Sequence, residues 1–382
     1  MAVLMVSSAC LPAQAGCPAL AVSVNRDQDV STAFQDCLKT LAFGGSLELS
    51  PGRYLLEKPI RIERGVAIRT RGIAAGAPGC LPGDDRRCAV LVLAPREGSI
   101  EPTQMPLEIT ADGVSMDHLV IVGVKGSKAF CRSTRPKAAG GGVRVSGSGF
   151  SFTRSAIRDI ACYSALEITA SASAPRLSGN RFGPNGTHRR SEDWSDGVTI
   201  HDSRGAMVGN NLFVDNTDVQ LILGGCRYCR IVGNRFRTSG EEARSAFAAL
   251  MLQSWPNTSG NYSGTVVERN DIDCGARKGC GYGLMIGAAP WYAGRASGGT
   301  VRGNSVRNAM IGINVDGVTG PMAFQGNRVE RSGGEFASRC GLRKWPAANV
   351  APGARRFVDA MQVGAETGAV STVGCLLNRP RN

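Results

Sequence analysis

Residues 193–218 concentrate reactive side chains. Asp193, Asp196, Asp202, Asp215 and Asp218 share that window with His201, one of three histidines in the 382-residue chain. Carboxylates crowded this closely repel one another unless a proton, a cation or an arginine offsets them, which makes the cluster a candidate for chemistry. His201 and Asp218 are of the types that transfer protons. Asp196, Asp202 and Asp215 are oxygen donors of the kind a hard cation such as Ca2+ takes. The competing reading is that these are solvated turn residues, for which aspartate is a common choice.

Strands must carry these groups. The pairs Leu166/Ile168, Val198/Ile200, Val219/Leu221, Leu250/Leu252, Leu284/Ile286 and Ile313/Val315 are each spaced i, i+2, so both side chains point to one face, read as the interior. The residues between and beside them then face outward. They are Glu167, Thr169, Thr199, His201, Asp218, Gln220, Met251, Gln253, Met285, Asn314 and Asp316. His201 and Asp218 lie one repeat apart, and adjacent strands are about 4.8 Å apart, so the two can meet.

A second phrase alternates with the first. Gly179-Asn180-Arg181-Phe182, Gly209-Asn210-Asn211-Leu212-Phe213 and Gly233-Asn234-Arg235-Phe236 are followed by Arg269-Asn270-Asp271-Ile272, Gly303-Asn304-Ser305-Val306 and Gly326-Asn327-Arg328-Val329. Taking Asn210 in the second phrase, the asparagines recur after 30, 24, 36, 34 and 23 residues. That is one supersecondary unit per repeat, with insertions in the loops. Asparagine tolerates the left-handed backbone of a sharp turn, and stacked repeats would align the amides for hydrogen bonding along the axis. No single repeat can bury its own apolar strip, so the units must stack into a solenoid. Asp29 to Leu41 reads as an amphipathic helix, with Asp29 and Ser31 as capping candidates, that would cover the open end. Residues 72–104 and 125–141 read as surface excursions. The expected organisation is one solenoid domain over 16–335 and a covering tail over 336–382, stapled by Cys340 and Cys375.

Composition narrows the partners. Fifty glycines and 6% aromatics suit short strands and tight turns. A net charge of +13 favours polyanions: nucleic acid, anionic lipid or an acidic polysaccharide. The basic residues are scattered, without a run or a basic helix, and a diffusely basic surface with no specific role is the alternative. Met1–Ala15 is apolar and ends in Ala13-Gln14-Ala15, like a secretory cleavage site, although no basic residue precedes it. Removing it leaves twelve of thirteen cysteines, several closely spaced: Cys80/Cys88, Cys226/Cys229 and Cys274/Cys280. This suits disulfides in a secreted or periplasmic protein better than zinc, since no second CxxC accompanies Cys226-Arg-Tyr-Cys229. An exported location argues against nucleic acid. No apolar stretch is long enough to span a membrane, and no glycine-rich nucleotide fingerprint appears.

The helix, Gly44-Gly45-Ser46-Leu47-Glu48-Leu49, the Pro51-Gly52-Arg53-Tyr54 turn and the Gly-Asn repeats together resemble the pectin-lyase-like superfamily over most of residues 25–335. The resemblance implies an all-β chain folded as a right-handed parallel β-helix with a short N-terminal capping helix. It implies a substrate groove over one sheet, here the one without Gly-Asn turns, flanked by long loops. All four tryptophans (Trp194, Trp255, Trp291 and Trp345) fall in those loops or the tail. Glu167, Gln220, Gln253 and Asn314, with Trp194, Trp255 and Trp291, are the substrate-binding candidates; the tryptophans offer faces for sugar rings or serve as loop plugs.

The superfamily spans lyases, hydrolases, epimerases and non-catalytic surface proteins. Ser195-Asp196-Gly197-Val198 through Asn211-Leu212-Phe213 resembles the Asp-Gly strand and Asn-x-Phe coil of pectate lyases, where an arginine one or two coils later is the base. The match for that arginine is Arg244, in Glu241-Glu242-Ala243-Arg244. Asn216-Thr217-Asp218 resembles polygalacturonases, but their Asp-Asp pair and Gly-His-Gly are replaced by Ala248-Ala249-Leu250 and Gly281-Tyr282-Gly283. The Asp-Pro-His-Asp signature of uronate epimerases is absent. The expectation is an exported protein, a monomer or solenoid-type homo-oligomer, that binds an acidic polysaccharide and cleaves it by β-elimination. His201, Asp218 and Arg244 are its proton-transfer candidates, and Asp196, Asp202 and Asp215 the candidates for cation or substrate-carboxylate handling. Hydrolysis, epimerisation and binding without catalysis are the alternatives.

Overall fold

The computed structural model describes residues 17, 20, 28–74, 76–126, 130–131, 137–189, 192–239, 246–287, 295–358, 363, 365–372 and 375–376. The expected signal peptide, Arg244 and Trp291 lie outside the described residues. Successive strands go to three parallel sheets in turn. Ser46–Leu49 opens the first, Gly52–Leu56 the second and Ile60–Ile62 the third, and Ala67–Thr70 returns to the first. The three sheets hold ten, ten and eleven strands. The chain is a right-handed parallel β-helix with a short N-terminal helix.

The asparagines build a ladder at the turn between the first and second sheets. Asn180, Asn211, Asn234, Asn270, Asn304 and Asn327 each lie 2% exposed or less. Along the series each Nδ2 donates to the next Oδ1 at 2.9–3.0 Å. Each Oδ1 also accepts the backbone N–H of the preceding rung. Two details differ from the sequence reading. The second rung is Asn211 rather than Asn210, and the left-handed conformation falls on the residue before the ladder amide: Gly179 at φ +68°, Asn210 at +56°, Arg269 at +52°. The ladder asparagines are therefore selected for their amides and not for their backbone freedom. Beside them Phe152, Phe182, Phe213 and Phe236 stack at centroid spacings of 6.1, 5.1 and 4.8 Å.

The third sheet carries the apolar rows. Leu166, Val198, Leu221, Leu250, Leu284 and Ile313 are in register, as are Ile168, Ile200, Leu223, Leu252, Ile286 and Val315. Five of the six predicted pairs point inward as read; in the sixth, Leu221 is inside with Leu223 while Val219 joins an apolar cluster on the outer face. Strict alternation is broken there, since Gln220 is buried beside Leu221, and periodicity alone could not show it.

Both ends are closed. Helix α1 (Ser31–Thr40) buries Phe34, Cys37 and Leu38 against the first coils, and Asp29 accepts the Ser31 and Glu57 backbone N–H groups at 2.9 and 3.1 Å. The segment 72–104 is not wholly an excursion, since Ala89–Leu93 within it is a strand of the second sheet. At the other end a hairpin, Gly334–Ser338 with Gly341–Trp345, is joined to the tail by Cys340–Cys375. Disulfides also link Cys17–Cys37, Cys80–Cys88, Cys131–Cys162, Cys226–Cys229 and Cys274–Cys280.

Candidate functional site

The outer face of the third sheet begins with alternating charge. Arg61, Glu108, Arg144 and Glu167 occupy equivalent positions on four successive strands, followed by Thr199. Each sits between two inward apolar residues, as in Val143-Arg144-Val145 and Leu166-Glu167-Ile168, which fixes its side chain outward. Opposite charges on neighbouring strands attract, by about 0.2–1 kcal/mol per exposed pair.

Glu167 is the centre of this row. Its side chain is 4% exposed. It accepts hydrogen bonds from Arg144 Nε at 2.6 Å, from Tyr163 Oη at 2.8 Å and from His201 Nε2 at 2.9 Å. Burial alone would raise its pKa, but the bonds from His201 and Arg144 outweigh it and hold the carboxyl down at about 2. Burial and the Glu167 charge push the Tyr163 phenol up. His201 is one-quarter exposed, and its ring meets Trp255 edge-on at 5.2 Å. With Nε2–H committed to Glu167, the lone pair available on His201 is on Nδ1.

A second acidic group adjoins the first along the strand. Asp196 accepts Thr199 Oγ1 and the Val219 N–H, both at 3.0 Å, and Thr199 is 2.6 Å from Ser164 Oγ. Burial raises the Asp196 carboxyl well above the usual range, and the neighbouring Asp218 charge raises it further. Burial lifts Asp218 to about 6, opposed by the positive charge of Lys137. Lys137 itself is ion-paired with Glu192. Carboxyls in this state can donate hydrogen bonds or act as acids near neutral pH.

The remaining expected site residues are placed differently. Asp202 accepts the Ser259 N–H and hydroxyl, and Asp215 accepts those of Ser239, so each ties one loop to another. Asp196, Asp202 and Asp215 do not converge, and among the described residues no group of three His, Cys, Asp or Glu side chains is placed to hold a metal ion. A shared cation site on those three is thus corrected: each carboxylate has a separate local partner. His201 bonds Glu167 and not Asp218. Gln220, expected outside, is 0% exposed and binds Asn216, Thr238 and the Arg237 carbonyl, because strand alternation is broken between it and Leu221. Gln253 is buried. Asn314 is also 0% exposed, under Asn349 and Thr372 of the tail. Met251 and Met285 lie in an apolar cluster on this same outer face. Trp194 lies 5.7 Å from His188, and Trp345 is buried under Phe336 and Arg343.

Tyr163, Arg144 and Lys137 were absent from the sequence candidates. A signal existed for Arg144: Ile60-Arg61-Ile62, Leu107-Glu108-Ile109 and Val143-Arg144-Val145 repeat the pattern of Leu166-Glu167-Ile168. Nothing comparable marks Tyr163, which reaches Glu167 from the start of its own strand.

No family model matches the chain, and no curated protein matches it. Among solved structures it is similar to the A-module of the mannuronan C-5 epimerase AlgE6 of Azotobacter vinelandii, at TM-score 0.62 and 14% identity, covering 94% of this chain and 90% of that one. It is similar to an alginate lyase of Paenibacillus at TM-score 0.50 and 13% identity, covering 78% and 92%. A third is the DFA-IIIase of Arthrobacter chlorophenolicus, at TM-score 0.53 and 11% identity, covering 78% and 73%. The parallel β-helix fold is shared with these proteins. At these identities the likeness is one of fold.

Proposed function

We propose that this protein is an exported enzyme that acts on a uronate-containing polysaccharide, abstracting the proton at C5 and breaking the chain by β-elimination. The observation that carries the reading is the bonding of one buried, ionised carboxylate, Glu167, to Tyr163, Arg144 and His201 together. In this scheme His201 Nδ1 takes the C5 proton, with Glu167 stabilising the imidazolium that forms. Tyr163, whose O–H bonds Glu167, helps hold that carboxylate, Asp196 protonates the leaving oxygen from its raised carboxyl, and Arg144 draws the substrate carboxylate. With its carboxyl raised by burial and the Asp218 charge, Asp196 meets the anionic sugar as a neutral acid instead of repelling it. The basic net charge favours the approach of such a polymer. The polysaccharide-active proteins of similar fold, and six disulfides suited to an oxidising compartment, support the same reading.

The test is incubation with a panel of polyuronates in heavy water. Growth of the ultraviolet absorbance of a conjugated unsaturated uronate supports elimination. Deuterium at C5 in an uncut chain would replace it with epimerisation, which shares the first step. A second reading is favoured by the Asp196–Asp218 pair, since two carboxyls of raised pKa suit a glycoside hydrolase. New reducing ends without the unsaturated chromophore would select it.

A further inference from the structure

The outer face of the third sheet is open on one side of the candidate site and covered on the other. Before Glu167, Arg61 and Arg144 keep 55% and 23% of their side chains exposed, while Glu108 between them, ion-paired to both, keeps 10%. After Thr199 the equivalent positions are Ile222, Met251, Met285, Asn314 and Asn349, each 8% exposed or less. At about 4.8 Å per strand this covered stretch is some 20 Å long.

The cover is built from the tail. Cys375 and Leu376 pack with Phe247, Tyr282 and Trp345 over the sheet. Tyr282 Oη donates to the Thr372 carbonyl at 3.1 Å, and Asp316 accepts the Thr372 N–H at 3.1 Å. Asn349 exchanges hydrogen bonds with Val370, and Cys340–Cys375 locks the segment to the hairpin. Trp255 joins the edge of this cluster and touches the His201 ring. The cover thus begins one residue contact from the candidate base.

We infer that the tail and Trp255 form an end wall, so that the site takes the terminus of a polyuronate chain and not its interior. This inference rests on the proposed function. A polymer lying along the open strands reaches His201 and is stopped there, since an inserted segment would have to displace an apolar cluster, a buried hydrogen-bond set and a disulfide. The wall fixes where along the chain the reaction occurs, and His201, Glu167 and Tyr163 fix what the reaction is.

The experiment measures saturating binding of the full-length protein to polygalacturonate and polymannuronate, each prepared in a series of narrow chain lengths and compared at equal mass. Capacity should rise in proportion to the number of chain ends, doubling when chain length is halved. A chain ending at Ala369, with Cys340→Ser to remove the orphaned thiol, should bind by mass irrespective of length. Capacity independent of length in the full-length protein overturns the end wall while leaving the proton-abstraction reading in place. Binding to neither polyuronate at any length removes that reading and the inference with it. The full-length comparison decides the matter even where the shortened chain fails to fold.

Discussion

His201 Nε2 lies 2.9 Å from Glu167 Oε1, across one strand-to-strand step of the third sheet. The residues are 34 apart in sequence, and the coil repeat alone brings them together. The contact fixes the imidazole tautomer, and it depends on Glu167 being ionised, which the His201 bond itself and Arg144 secure.

Glu167→Gln tests that dependence. It keeps the shape but replaces an acceptor of three hydrogen bonds with a group that must turn an N–H toward other donors. Turnover on the responsive polyuronate should fall by about a hundredfold or more. Steady-state kinetics beside circular dichroism check it, and near-normal turnover of a folded variant would show that Glu167 does not support the reaction.

His201→Ala and Asp196→Asn separate base from acid. Each should reduce kcat by about a hundredfold or more. A folded His201→Ala variant of near-normal turnover would assign the base to another group.

Stability should follow pH in two windows of opposite sign. Glu167 is held down to about 2 from 4.5. Its contribution is therefore present above 4.5 and lost as pH falls through about 2, a linkage on the order of 3 kcal/mol. Asp218 is lifted to about 6 from 3.8. Its contribution is present below 3.8 and lost as pH rises through about 6. Asp218→Asn should accordingly raise Tm at neutral pH and leave it nearly unchanged in acid, as read by thermal melts across the range. A variant less stable than wild type at neutral pH would overturn the assignment.

Asn234→Ala should destabilise the helix by at least about 2 kcal/mol, because it strips partners from buried groups on both sides of the rung. Those groups are the Asn211 N–H and amide, the Val208 carbonyl and the Asn270 amide oxygen. Denaturant unfolding measures it. The exposed Gln325→Ala, outside the ladder, is the control and should lose less.

The coil architecture was readable from residue types because its determinants recur at each step. The Asn-turn phrase and the apolar i, i+2 pairs repeat six times, so an error in one, such as Asn210 for Asn211, leaves the pattern intact. The disulfides Cys80–Cys88, Cys226–Cys229 and Cys274–Cys280 were legible because short spacing brings the partners together.

What only the tertiary structure decided is which outward groups meet and which are covered. Tyr163, Glu167, Arg144 and His201 lie on three different coils, and loops of unequal length between coils hide their alignment from any fixed period. Packing placed Val219 outside and turned Gln220 inward beside Leu221. The tail, through Thr372 at 58 residues' separation, buried Asn314 from outside. The sequence by itself determined that strands would stack with one apolar face inward, since that follows from local alternation. The chemistry of the other face depended on cross-strand register and on a distant covering segment, and neither is encoded in nearest neighbours.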